Sequence, residues 1–242
     1  MPADRFQNIA IFGSHGAIGG ALLEEICRRY PKANITALSR EAGTLPDHVT
    51  FIPIDFSVEE TVAAAAKSID RDHLLDLVLI ATGLLHEGDL QPEKALRSLS
   101  PAHFHKVMEV NCLGPALVMK HFLPLLPRKS KSVLAAISAR VGSISDNHLG
   151  GWYSYRASKA ALNMMIKSAA IETARRAPEA TLIGLHPGTV ASDLSDPFSG
   201  NVTEDKLFTP AYSAEKLIDV IEGITPDQSG RCFAYDGTEV PA

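Results

Sequence analysis

The sequence has no apolar run approaching the roughly 20 residues of a spanning helix, and its first residues, Met1-Pro-Ala-Asp-Arg, carry no apolar signal core. A transmembrane or exported chain is not expected. It also lacks a basic surplus. Its 23 Lys and Arg against 28 Asp and Glu give a formal net charge of −5, with a pI near 6.0, which excludes a nucleic-acid or anionic-membrane surface. Cysteine is scarce: Cys27, Cys112 and Cys232 are far apart and odd in number. That excludes a disulfide frame or a metal site and implies reduced, mostly buried thiols in the cytoplasm. No repeat, low-complexity tract or linker interrupts the 242 residues, so one domain over 1–242 is expected.

What is present is an alternation of short β-rich runs and helical stripes. Ile9–Phe12 is a strand that runs into Gly13-Ser-His-Gly-Ala-Ile-Gly-Gly20, and Ile18, Leu22, Leu23 and Ile26 then form one helical stripe. Glycines let a backbone approach a ligand closely, and the free N–H groups of a helix start favour a pyrophosphate. The spacing is Gly-x-x-Gly-x-x-Gly, which a plain tight strand-to-helix turn explains as well. Asn34–Leu38 is a second strand, ending in Ser39-Arg40. Where a carboxylate usually grips the adenosine ribose 2′-hydroxyl, an arginine would pair with a 2′-phosphate and favour NADP over NAD. A solvent-exposed arginine is the plainer alternative, and Glu41 beside it offsets the charge.

Val49–Ile54 is a third strand; Asp55 after it either accepts from an adenine amino group or caps the helix Val58–Ile69. Leu74–Ala81 reads as the buried centre of a parallel sheet, with Thr82-Gly83 at its carboxyl end, where open α/β sheets bind ligands. After a mixed connection over Leu84–Ser100, Pro101–Leu126 reads as a helical hairpin or a long kinked helix, with Asn111 and Gly114-Pro115 at the distortion. His103 and His105 point to different helix faces, poor metal geometry, and are expected at the surface or the helix start.

Ser132–Ser138 is a fifth strand, and a loop with Gly142, Gly150 and Gly151 leads to a helix from Trp152 to Arg176. Its methionines suit core or interface packing. Ala180–Leu185 is a sixth strand, followed by His186-Pro-Gly-Thr-Val. Ser192–Pro210 is long and irregular, which suggests a lid over a substrate site. Ser213–Ile221 is a helix and Gly230–Ala234 a closing strand. The pattern implies an α/β fold: a Rossmann-type doubly wound parallel sheet of about seven strands with helices on both faces.

Tyr155 and Lys159 stand four residues apart at the start of the Trp152–Arg176 helix, so a phenol and an ammonium share one face. A nearby cation favours phenolate and makes tyrosine a usable acid or base near neutral pH. Elsewhere such a pair is a solvated helix face.

In this order, the glycine turn at Gly13–Gly19, Asp55, Asn111, Tyr155–Lys159 and Pro187-Gly188-x-Val190 resemble the short-chain dehydrogenase/reductase family over essentially the whole chain. The stretch Arg140-Val-Gly-Ser-Ile-Ser-Asp-Asn, with Gly-Gly-Trp-Tyr and Ala160-Ala-Leu-Asn after it, is similar to a C-factor-like branch. The resemblance implies that Tyr155 exchanges a proton with a carbonyl or alcohol oxygen while nicotinamide exchanges hydride at the carbon. Lys159 would lower the tyrosine pKa and hydrogen-bond the nicotinamide ribose, and Asn111 would hold a relay water. It further implies cofactor contacts from Gly13, Ser14, His15, Ala17, Ile18, Gly19, Ser39, Arg40, Asp55, Phe56, Ala81, Thr82, Gly83, Pro187, Gly188, Val190 and Ser192, besides Tyr155 and Lys159. Small-molecule carbonyl or alcohol substrates and a homodimer or homotetramer are the expected partners, and no metal is implied.

Three positions depart from the family. Its Asn-Ala-Gly is Ala81-Thr82-Gly83 here, and the middle glycine of its turn is Ala17. Its catalytic serine, aligned on Gly142, is Ala139, leaving Ser138 or Ser143 as replacements. Trp152, Val141, Leu84 and Phe198 are candidate pocket walls or plain core. Two readings follow: an NADP-dependent carbonyl-reducing enzyme, or a catalytically weak cofactor-binding signalling or sensor protein on the same fold.

Overall fold

The elements follow the alternation in the sequence. They are β1 (Asn8–Phe12), α1 (Ala17–Arg29), β2 (Asn34–Ser39), β3 (Val49–Pro53), α2 (Glu59–Ser68), β4 (Leu77–Ile80), α3 (Pro101–Met108) and α4 (Gly114–Phe122). Then come β5 (Ser132–Ile137), α5 (Tyr153–Ala174), β6 (Ala180–His186), β7 (Thr189–Val190), β8 (Leu207–Phe208), α6 (Pro210–Gly223), β9 (Arg231–Ala234) and β10 (Glu239–Val240). The structure, a computed structural model, describes residues 5–192, 194 and 207–242. The expected Phe198 pocket wall, and most of the lid expected over Ser192–Pro210, lie outside the described residues.

Among the described residues, eight strands form the main sheet in the order β3-β2-β1-β4-β5-β6-β9-β10. All neighbours pair in parallel except β9 with β10. This is a Rossmann-type doubly wound sheet whose order reverses between β1 and β4, the switch point where such folds bind ligands. The eighth strand was not expected: β10 is two residues long and returns through a turn at Asp236-Gly237 too short to show a periodicity. Strand side chains alternate between faces. Ala10 and Phe12 of β1 therefore pack under α2, α4 and α5, while Ile9 and Ile11 pack under α1 and α6. Among the described residues no helix is long and apolar enough to cross a membrane.

Several boundaries differ from the sequence pattern for local reasons. Strand β4 starts at Leu77, not Leu74, because Asp76 turns its carboxylate to the N–H groups of Gln7 and Asn8 at 2.8 and 3.2 Å. Helix α6 starts at Pro210 rather than Ser213, because Thr209 accepts from Tyr212 N at 3.2 Å and caps it. The long helix of Pro101–Leu126 is α3, a π-helical turn over Glu109–Leu113 and α4. His103 is not at the surface; it starts α3 but is buried, while His105 is exposed. Met164 and Met165 are 65% and 41% exposed, so neither is core.

Candidate active site at the carboxyl end of the sheet

The switch point is closed by backbone against backbone. Gly13 has φ 76°, its N–H bonds Leu38 O at 2.7 Å, and a Cβ there would stand 2.7 Å from Ala81 O. A Cβ at Gly19 would stand 2.0 Å from Gly13 O, so no larger residue fits between the turn and α1. Helix α1 begins with Gly16 at its cap, no side-chain cap bond and no acidic residue in its first turn. Its open amides, Ala17 and the half-buried Ile18 included, are a site for an anion. Thr82, next to this turn, has a buried hydroxyl with no partner. These features fit a nicotinamide dinucleotide: bare amides for its phosphates and an unpaired hydroxyl beside them.

At the outer end of the crevice, Ser14 and Ser39 hydroxyls are 3.4 Å apart, and Ser39 donates to Glu41 O at 2.5 Å. His15 is exposed beside Gly43, 3.9 Å from Glu41, and Arg40 is exposed. Asp55 does not cap α2, whose cap residue is Val58; its carboxylate closes a turn onto Ser57 N and Oγ at 2.9 and 2.6 Å. Those bonds, with the charge of Arg40, hold it below the usual carboxylate range. Phe56 faces the core, against Phe12 and the backbone of Gly114.

Deeper in, Lys159 and Asn111 meet beside Gly83, with the Tyr155 ring next to the lysine. A Cβ at Gly83 would stand 3.9 Å from Lys159 Nζ, 4.0 Å from Asn111 Oδ1 and 3.8 Å from Leu194. Lys159 is 1% exposed, donates to Ile137 O at 2.9 Å and lies 5.7 Å from the centre of the Tyr155 ring. Burial lowers its pKa to about 8, opposed in part by the thiols of Cys232 and Cys112. Burial also pushes Tyr155 up to about 12. Burial is the cause of that rise, so the phenol stands above its ordinary value here rather than below it.

Asn111 sits in the π-helical turn, fully buried. Its Oδ1 accepts from Leu84 N at 2.7 Å, and its Nδ2 donates to Leu84 O at 2.8 Å and Ser158 Oγ at 3.0 Å. Ser158 in turn donates to Tyr155 O at 2.8 Å. The amide thus ties the segment after β4 to α5. On the far side, Gly188 has φ 79° and leaves room for the Phe208 ring, 2.6 Å from where a Cβ would be. Pro187 O accepts from Ser213 Oγ at 2.8 Å, buried Val190 pairs with Phe208, and Ser192 Oγ donates to Val190 O at 3.3 Å.

The model of the short chain dehydrogenase family matches residues 8–202. The chain belongs to the short-chain dehydrogenase/reductase family. It is 35% identical over 234 residues to 1-hydroxy-2-glutathionyl-2-methyl-3-butene dehydrogenase of Rhodococcus sp. (strain AD45), covering 96% of this chain and 98% of that protein. It is 37% identical over 147 residues to C-signal of Myxococcus xanthus, covering 61% of this chain and 83% of the other, which supports the C-factor-like branch. In fold it is similar to an NADPH-bound carbonyl reductase from chicken fatty liver, with TM-score 0.84, 21% identity, and 98% and 100% of the two chains covered. Membership makes it an oxidoreductase with a nicotinamide cofactor and a small-molecule substrate.

Within this short-chain dehydrogenase/reductase, the serine position stands out. Ala139 is extended (φ −158°, ψ 149°) and brings no hydroxyl. Ser138 is buried and donates to Asn163 Oδ1 at 2.7 Å, on the side of the Cys232 thiol. Ser143 accepts from Asp146 N at 3.1 Å inside its own loop. Of the suggested walls, Trp152 meets the Tyr155 ring edge-on at 6.2 Å, Leu84 is held by Asn111, and Val141 is half-buried. Ile137 O, Ser158 and Glu93, whose carboxylate accepts from Ser154 N at the start of α5, carry no sequence signal. A backbone acceptor leaves no mark in a sequence, and Ser158 and Glu93 stand outside any spacing rule.

Proposed function

We propose that this chain is an NADP-dependent oxidoreductase that reduces a carbonyl, or oxidises the corresponding alcohol, with Tyr155 as general acid and base. The observation that carries the proposal is the buried Lys159, beside the Tyr155 ring and next to Asn111 at Gly83, at the carboxyl end of the sheet beside an uncapped glycine turn. When bound, the cofactor supplies a hydride to the carbonyl carbon. Tyr155 gives its phenolic proton to the carbonyl oxygen, and a phenol held near 12 is protonated at neutral pH, as reduction requires. Lys159 is still charged below about 8, where it would hydrogen-bond the nicotinamide ribose and favour phenolate as the proton leaves. Asn111 keeps the helix and the segment after β4 in register and would hold a relay water near Lys159.

Gly13, Ser14, His15, Ala17, Ile18 and Gly19 would hold the phosphates, with Ser39, Arg40, Asp55 and Phe56 at the adenosine end. Ala81, Thr82, Gly83, Pro187, Gly188, Val190 and Ser192 would flank the nicotinamide side. Arg40, and the NADPH of the chicken carbonyl reductase, support NADP over NAD. We read the chain as one nucleotide-binding domain and as a cytoplasmic protein, its cysteines Cys27, Cys112 and Cys232 being free. Exposed Leu113, Met164, Met165 and Ile171 support a homodimer or homotetramer. A second reading, a weak catalyst that signals by binding cofactor, is favoured by Ala139 and by the likeness to C-signal.

One experiment separates them. NADPH and NADH affinities are measured, then a panel of carbonyls, including a glutathionyl aldehyde because of the Rhodococcus relative, is assayed with wild type and Tyr155→Phe. The enzyme reading expects tighter NADPH binding and a loss of about 10²–10⁴ in kcat for the variant. Tight cofactor binding with no Tyr155-dependent turnover would leave the signalling protein. Equal affinity for both cofactors would remove the role given to Arg40.

A further inference from the structure

The helix that carries Tyr155 and Lys159 has a poor start of its own. Gly150, Gly151 and Trp152 have φ of 63°, 67° and 52°, and Trp152 is the one non-glycine residue with positive φ among the described residues. It occupies the cap position of α5, where it places no side-chain hydrogen bond on the open amides, and the first turn has no acidic residue. Indole is a donor only, so it has nothing to offer a free N–H group.

The acceptors come from the connection between β4 and α3. Glu93 is 3% exposed and uses both its backbone and its carboxylate. Its carbonyl oxygen accepts from Trp152 N at 2.5 Å, across the left-handed residue. Its Oε2 accepts from Ser154 N at 3.1 Å, and its Oε1 accepts from Ser154 Oγ. Ser154 is fully buried, and His103 of α3 braces the same carboxylate, with Nδ1 3.5 Å from Oε1. Those bonds hold the Glu93 carboxyl below its ordinary range despite its burial. One residue beyond Ser154 is Tyr155, whose ring also meets the Trp152 ring.

We propose that Glu93 is a positioning residue for Tyr155. It acts through Ser154 and Trp152, capping the first turn of α5 and holding the left-handed residue before it, so that the phenol keeps one place against the substrate. Glu93 itself touches no reacting atom. The proposal rests on the reading of Tyr155 as the proton donor.

The test uses Glu93→Gln, which keeps the volume and one acceptor, and Ser154→Ala, which removes the hydroxyl and keeps the amide. Glu93→Gln is expected to lower kcat about 10- to 100-fold, with substrate KM within about threefold and NADPH Kd within about twofold. Ser154→Ala is expected to lose about 3- to 10-fold, and the double variant to be no slower than Glu93→Gln, because the two share one interaction. In the cofactor-free protein, amide hydrogen exchange at residues 152–155 should rise at least about tenfold in Glu93→Gln, with the middle of α5 unchanged. Wild-type kcat in Glu93→Gln, or a loss shared equally by kcat, NADPH binding and exchange along all of α5, would overturn the proposal. If wild type shows no Tyr155-dependent turnover, the functional reading fails, and unchanged exchange at 152–155 would separately overturn the hold of Glu93 on this turn.

Discussion

Ala139 stands where the family's catalytic serine is aligned and brings no hydroxyl. The family's serine at this position orients a carbonyl, and the two serines nearest in sequence are bonded elsewhere. Ser138 gives its proton to Asn163, and Ser143 is engaged with Asp146. Removing one preorganised oxyanion-hole donor typically costs about 10²–10³ in kcat, so restoring a donor should recover part of that. Ala139→Ser is expected to raise kcat on a good carbonyl substrate by about 10- to 100-fold, with cofactor affinity unchanged. Steady-state kinetics on the two proteins decide it. An unchanged or lower rate means that another group already polarises the carbonyl.

Two short elements fix the geometry around that residue. The π-helical turn at Glu109–Leu113 faces Asn111 inward, where a regular helix would continue the α3 ladder. The 3-10 turn Arg140–Gly142 lies directly on α5: a Cβ at Gly142 would stand 2.8 Å from Lys159 Cβ and 2.9 Å from Lys159 backbone carbon. Gly142 does not have positive φ, so the requirement is space rather than backbone freedom. Gly142→Ala should cost about 1–3 kcal/mol by overpacking and lower activity by moving the lysine. Gly223→Ala, where a Cβ meets nothing within 4 Å, should stay within about 0.5 kcal/mol. Urea unfolding of both variants checks this, and equal destabilisation would contradict it. The distortion at Asn111 was legible in the sequence because asparagine before Gly-Pro disturbs a helix. Gly142 as a seat for Lys159 was not, because a contact between a turn and a helix has no period.

At the scale of the molecule, the topology was legible because parallel strands covered on both faces write themselves as short apolar runs, and helices as stripes. The site was legible only where chemistry needs a residue type at a spacing, as with Tyr155 and Lys159. What burial does to those groups was hidden, since it depends on elements far apart in the chain. His186 shows the same effect in the stability of the whole fold. It ends β6 beside Ala234 of β9, its Nδ1 is buried without a partner, and burial, then the charge of Arg140, lowers its pKa to about 4, with Asp236 opposing. The folded protein therefore keeps it neutral while the unfolded chain, with an ordinary value near 6.5, takes up the proton first. Its contribution is complete above about 6.5 and is lost as pH falls toward about 4, with a slope of at most about 1.4 kcal/mol per pH unit. Carboxylates held low act from the foot of this window downward: Glu25, bonded by Arg28 and held at about 2, weakens the fold only as pH falls below its ordinary 4.5. His186→Gln should therefore flatten the fall in unfolding free energy between pH 6.5 and 5 and leave the steeper loss below pH 4.5 in place. Urea denaturation of both proteins at half-unit steps measures the two slopes, and parallel curves across that upper window would show that His186 carries no buried-proton penalty.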